Sequence, residues 1–201
     1  NQFTKITSIK VLMDYGYGTQ RTIINGMLEA ADKGAAVISM SLGGRSKNSK
    51  QNAYNKAVDY AYQKGAIVVA AAGNSNTDAK MFSPANAKGV ITVSALDTLL
   101  NRASFSNHIK NIQMAVAAPG VKILSTFPGD EYKVFNGTSM ATPYVAGLLG
   151  LMKSIEPNLT TKEAFDILHN SGLPTNQSKE TGLLICPVEA IQAVQRLSDV
   201  E

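Results

Sequence analysis

Three short segments carry residue types that could act together in acyl transfer. In Asn136-Gly137-Thr138-Ser139-Met140-Ala141-Thr142-Pro143, a serine opens an apolar helical pattern. A helix start presents unpaired N–H groups and the positive end of the helix dipole. An oxyanion forming beside Ser139 would be stabilised there. The second segment is the apolar run Ile67–Ala72, which passes straight into Gly73-Asn74-Ser75. Open α/β sheets bind ligands at such carboxyl ends of strands, and an asparagine there can donate its NH₂ to developing negative charge. The third, Ser39-Met40-Ser41-Leu42-Gly43-Gly44, also ends a strand, and its paired glycines permit close backbone approach. Taken singly, each has a plainer explanation. Ser139 reads as a helix cap, Gly-Asn as turn chemistry and Gly43-Gly44 as a strand-to-helix loop. The Gly-x-Ser-x-Gly elbow is absent, because Ala141 stands at its second glycine.

The elements that must position these residues follow from hydrophobic pattern. Short apolar runs at Ile9–Met13, Ala36–Met40, Ile67–Ala72, Val90–Ala95 and Ile112–Ala118 predict strands. Several are continuous rather than alternating, which suits parallel strands covered on both faces. Helical patterns lie between them. Thr19–Lys33 is closed by Gly34, and Asn52–Lys64 is stopped by Gly65. Alternating strand and helix predicts βαβ crossovers in an α/β layer fold. After Pro119, Ile123–Thr126 and Tyr132–Phe135 flank Pro128-Gly129-Asp130 as a hairpin. A long apolar helix runs from Ser139 to about Ile155, with Pro143 expected in its first turn. Thr160-Thr161-Lys162-Glu163 is a capping box, and Pro187 opens a final amphipathic helix.

Together the three segments resemble the subtilisin family of serine proteases, the subtilases. Gly137-Thr138-Ser139-Met140-Ala141-Thr142-Pro143 is similar to the family's serine motif almost letter for letter. Ala70-Ala71-Ala72-Gly73-Asn74 resembles its oxyanion-asparagine segment, and Ser41-Leu42-Gly43-Gly44 its substrate-backbone strand. Arg102-Ala103-Ser104-Phe105-Ser106-Asn107 and Ala118-Pro119-Gly120 follow in the family's order. The resemblance implies a three-layer α/β fold, a parallel sheet flanked by helices, over 1–201. It implies Ser139 as nucleophile, with Asn74 and the Ser139 N–H as oxyanion donors. Ser41, Leu42 and Gly43 would pair with an extended substrate, and Ala72 and Gly73 would line the primary side-chain pocket. Pro84 stands where the family often has a cis proline near that pocket.

A serine hydroxyl needs an adjacent base, and the family supplies a histidine oriented by an aspartate. Neither of the family's motifs for these residues occurs here. The chain has two histidines, His108 in a loop and His169 in the last turn of the capping-box helix, and neither lies in a base motif. Asp14 follows a strand pattern, but its Asp-Tyr-Gly setting is not the aspartate motif, so it reads as a loop residue. The resemblance also places the missing aspartate strand between Ile9–Met13 and Val37–Ser41. Losing a central strand leaves two rows of unpaired backbone groups. Each buried unpaired group costs roughly 1–3 kcal/mol, against ~5–15 kcal/mol of net domain stability. The expectation is therefore a partial catalytic domain, lacking N-terminal strands and the histidine helix and completed by another chain. Asn1, with neither an initiator methionine nor a signal pattern, reads as one side of a cut. The expected partners are that N-terminal chain of the same protease, polypeptide substrates, and a propeptide or inhibitor. A catalytically inactive pseudoprotease, acting as a binding or regulatory module, is the alternative. It ranks lower because nucleophile and oxyanion residues are both kept.

Composition narrows the rest. The 201 residues are 44% hydrophobic and 17% charged, a globular balance rather than a disordered one. One cysteine, Cys186, excludes a disulfide framework and a cysteine-cluster zinc site. No apolar run approaches the ~18–20 residues of a membrane span. The net charge of +4 is scattered, with one modest cluster at Arg45, Lys47 and Lys50, unlike the dense stripe of a nucleic-acid binder. Gly16-Tyr17-Gly18 before a helix is a weak dinucleotide-loop pattern, with Arg21 in place of its last glycine. The chemistry requires no cofactor. Structural calcium is common in the family, but no acidic cluster here marks a site. Secretion is the family's commonest fate and is the expected localisation. Met140, beside the nucleophile, is exposed to thioether oxidation or simply packs the helix start.

Overall fold

A computed structural model describes residues 4–46 and 48–198. Asn1 and Lys47 lie outside the described residues, as does the side chain of Lys50. The elements in chain order begin with α1 (Gln20–Asp32), β1 (Val37–Met40), β2 (Gly44–Arg45), α2 (Asn48–Gln63) and β3 (Ile67–Ala71). A 3₁₀ turn (Ala79–Met81) leads to β4 (Phe82–Ser83), β5 (Val90–Leu96) and β6 (Ala115–Pro119). The hairpin β7 (Ile123–Phe127) and β8 (Glu131–Phe135) follows, then α3 (Thr138–Ile155), α4 (Thr161–Asn170), α5 (Ser178–Thr181) and α6 (Pro187–Ser198).

The central sheet is parallel, in the order β1-β3-β5-β6. All five residues of β3 and all seven of β5 are buried, because helices cover both faces. Alternation along β3 divides the core in two. Ile67 and Val69 join β5 and β6 residues under α3, with Val145, Leu149 and Met152 at the centre. Val68 and Ala70 face the other way, onto Met27 of α1 and Tyr54, Val58 and Ala61 of α2. The fold is thus three layers, helices–sheet–helices, as the resemblance implies.

Local signals set most helix ends. Thr19 and Thr22 form a capping box at α1, and Thr160 and Glu163 form one at α4. The C-terminal end of α3 is held by a buried cation. Lys153 donates to the carbonyls of Pro157 and Leu159. Burial pulls the Lys153 pKa below the usual lysine value, and the nearby Glu156 and Glu163 carboxylates oppose that shift.

Three expectations are corrected. Ile9–Met13 is not a strand; it runs as irregular chain beside α1. Its apolar residues find cover there, since Gly26 of α1 lies so close to Val11 and Ile9 that a Cβ would collide. A strand also needs a ladder partner, and among the described residues none lies beside this segment; β1 is the sheet edge. This also removes the dinucleotide-loop alternative, which requires a strand before Gly16-Tyr17-Gly18. Second, the run from Ile112 becomes strand only at Ala115. Third, Pro143 is not in the first turn of α3 but one turn further in, the sixth residue of Thr138–Ile155.

Candidate active site

The ends of β1 and β3 and the start of α3 converge. Gly137 is the N-cap of α3, and Ser139 is its second residue, half-buried. Asn74 is exposed just beyond β3. Its amide orientation is determined by donors. The Thr138 N–H reaches Asn74 Oδ1 at 2.9 Å, and the Thr138 hydroxyl reaches it at 2.8 Å. With the carbonyl thus engaged, the NH₂ is left to point elsewhere. It borders the space over Gly137, where a Cβ would lie 3.4 Å from Asn74 Nδ2 and 3.6 Å from the Ser139 nitrogen. Two N–H donors therefore flank one small volume that the absent side chain of Gly137 keeps open. A carbonyl oxygen seated there would meet both as it gained negative charge.

Thr138 is fully buried and ties the start of α3 to the loop that follows β3. Its hydroxyl donates to Asn74 and accepts from the Gly73 N–H at 3.1 Å. Asn107, also fully buried, secures the other side of the same loop. Its Oδ1 accepts from the N–H groups of Ser75 and Thr77 at 3.0 and 3.1 Å. Its Nδ2 donates to the Ala72 carbonyl at 2.8 Å. Gly73 has φ +101°, and a Cβ there would collide with the Asn107 amide, so glycine serves both the turn and the close approach. Asn107→Ala should strand three main-chain groups. At roughly 1–3 kcal/mol per buried group left unpaired, and allowing for relaxation, we expect a loss of about 3 kcal/mol. Thermal unfolding should show Tm lowered by about 6–12 °C for a chain of this size; a shift under ~2 °C would refute the clamp.

Ser41 lies exposed beyond β1 and makes a reciprocal pair with Ser139. The Ser139 hydroxyl donates to the Ser41 carbonyl at 3.1 Å, and the Ser41 hydroxyl donates to the Ser139 carbonyl at 2.8 Å. Leu42 and Gly43 continue from it, and β2 then pairs antiparallel with β4, Gly44 opposite Ser83. Gly43 lies close to that partner, since a Cβ on it would be 3.1 Å from the Ser83 carbonyl. The Ser83–Pro84 bond is cis, in line with the resemblance. Of the two residues expected to line a side-chain pocket, Gly73 is half-buried beside Asn74. Ala72 is fully buried and packs with Ala79, Ile109 and Ala115. A cavity of about 450 Å³ lies beyond Asn136, lined by Phe105, Val121 and Lys122 among others.

No general base stands at Ser139 among the described residues. His108 lies at the far side of the loop, where its backbone N–H donates to the Thr77 carbonyl and its side-chain Nδ1 is buried without a partner. His169 packs against Phe165 on α4. Asp14 pairs with Lys10 on the surface, and that hydrogen bond and charge hold its carboxyl below the usual range. No group of three or more His, Cys, Asp or Glu side chains among the described residues is placed to hold a metal ion. No helix of the described residues is long and apolar enough to cross a membrane.

The resemblance singled out Ser139, Asn74, Ser41, Leu42 and Gly43, and the structure brings their segments together. The clamping roles of Thr138 and Asn107 were not legible. Both lie inside quoted motifs, but their partners stand 64 and about 30 positions away, beyond any local pattern.

A parallel sheet whose strand ends meet a helix-borne serine and an amide donor is the architecture of one class of hydrolase. The chain belongs to the subtilase family, whose sequence profile matches residues 2–184. It is 41% identical over 186 residues to subtilisin DY of Bacillus licheniformis, covering 91% of this chain and 66% of that protein. It is 46% identical over 149 residues to thermitase of Thermoactinomyces vulgaris, covering 74% of this chain and 51% of that protein. Among solved structures, a cold-adapted subtilisin-like serine proteinase superposes with a TM-score of 0.77 at 33% identity, over 87% of this chain and 64% of that one. The chain thus spans between about half and two thirds of the length of these relatives.

Proposed function

We propose that this chain is the serine-bearing part of a subtilisin-type serine endopeptidase. The observation that carries the reading is the pair of donors, Asn74 Nδ2 and the Ser139 N–H, flanking the place that a side chain on Gly137 would take, at the start of the helix that bears Ser139. Ser139 attacks a peptide carbonyl, forming a bond from Oγ to carbon. The hydroxyl proton passes to a histidine, and the carbonyl oxygen, now negative, is held by the two donors. Collapse expels the amine, which takes the proton, and leaves an acyl-enzyme that water hydrolyses. Backbone groups of Ser41, Leu42 and Gly43 hold the substrate as an added strand. This accounts for broad action on polypeptides, because main chain is common to all of them.

The histidine and its orienting aspartate come from an N-terminal chain of the same protease. Two features support that partner. β1 is an edge of the parallel sheet, and an edge strand presents a row of unpaired N–H and C=O groups on which a strand of another chain can pair. The irregular segment 9–13, packed against α1, has the composition of a strand without a ladder. The proposed site is extracytoplasmic, and no cofactor enters the chemistry.

The test is expression with the Asp- and His-bearing portion of the reading frame, assayed on an unfolded polypeptide. Cleavage abolished by Ser139→Ala, with a fluorophosphonate attached to Ser139, is expected. Tight binding of the polypeptide without cleavage would establish the pseudoprotease reading instead.

A further inference from the structure

The position of Pro143 has a consequence for the nucleophile. In an α-helix the carbonyl of residue i accepts from the N–H of residue i+4. Proline has no N–H, so Pro143 cannot serve the carbonyl four residues before it. That carbonyl belongs to Ser139. Its donor is instead the Ser41 hydroxyl, 2.8 Å away, from the loop that leaves β1. Ser41 and Ser139 are 98 positions apart in the chain, so the bond ties the helix start to the end of a strand.

We infer that the Ser41 side chain is a positioning residue for the nucleophile: its hydroxyl replaces the N–H that Pro143 removes and fixes the main chain on which Ser139 is carried. The inference rests on the proposed role of Ser139 and adds to the proposed role of Ser41, which concerned only its backbone. Position matters at this carbonyl. It belongs to the peptide that leaves Ser139, so its tilt moves Cα and Oγ. Displacement of a reacting atom by ~1 Å costs on the order of 10² in rate. On the other side, Thr138 is tied to Asn74 and Gly73 at the end of β3. The nucleophile therefore sits between two anchors, one on each strand, and the Ser41 hydroxyl is the anchor that the helix cannot provide for itself.

A double-mutant cycle tests this in the complete protease, with its aspartate and histidine portion. Ser41→Ala should lower kcat about tenfold, the scale of one lost hydrogen bond, with KM changed less than twofold. Pro143→Ala restores an N–H at i+4. In that background the same Ser41→Ala change should lower kcat less than twofold. Ser41→Thr keeps a hydroxyl and should lose less than Ser41→Ala. Equal losses in the two backgrounds, or none with Pro143 in place, would overturn the inference. An inactive complete protease would refute the nucleophile assignment and not this one. The same four variants are then read by Tm: Ser41→Ala lowers it beside Pro143 and not beside Ala at that position, and equal shifts overturn the substitution of one donor for the other.

Discussion

Ser139 should react with a fluorophosphonate about 10⁶-fold faster when the Asp- and His-bearing portion is present than in this chain alone. That magnitude is taken from the loss of kcat in subtilisin, itself a member of the family, when its histidine is removed, since both reactions need the same proton taken from the serine. The physical reason is visible at the serine. Its hydroxyl donates to the Ser41 carbonyl, an acceptor that orients the proton but cannot take it. Without a base, the nucleophile stays a neutral alcohol, a weak one near pH 7. The Asn74 amide proposed as an oxyanion donor is oriented by Thr138 within this chain, and its placement should not depend on the proposed partner. Residual reactivity should therefore depend on Asn74 in both states. The measurement is the second-order labelling rate, followed by intact mass, for the chain alone and reconstituted. Rates within tenfold of each other would mean that the base is not what the chain lacks.

Asn74→Ala in the complete protease should lower kcat by about 10²–10³, the loss found in subtilisin for the corresponding donor. KM should change by less than about threefold, because the donor meets the oxygen fully only once charge has developed. The side chain makes no contribution to the core: it is exposed, and its only described bonds run to Thr138. Tm should accordingly fall by no more than a few degrees, which separates a catalytic loss from an unfolded loop. A rise in KM with kcat unchanged would assign Asn74 to substrate binding. Thr138→Val offers a graded version. It removes the hydroxyl that orients the Asn74 carbonyl while leaving the N–H, and should cost less than Asn74→Ala in kcat.

Much of this molecule could be read from residues in a row. The capping box at Thr160, the glycine stops at Gly34 and Gly65 and the hairpin around Pro128-Gly129-Asp130 are all local chemistry. So are the apolar run that became β3 and the mainly apolar run that became β5. The serine and asparagine motifs were legible because each occupies a continuous stretch at an element boundary. Ile9–Met13 shows the limit of such reading. Its pattern is that of a strand, but a strand is defined by its neighbour, and here the apolar side chains settle against α1 instead. Pro143 shows another: its type is plain, but its place one turn into α3 depends on where the helix starts.

By itself, then, the sequence determined most of the helices and sheet strands, the α/β layering and which residues could do chemistry, because these follow from side-chain type and short-range spacing. Only the tertiary structure decided how the site is held. Thr138 turns the Asn74 amide, Asn107 clamps the loop behind it, and Ser41 supplies the donor that Pro143 denies to Ser139. Each is a hydrogen bond between groups about 30 to 98 positions apart. Such bonds form only after the sheet has brought the ends of β1 and β3 to the start of α3.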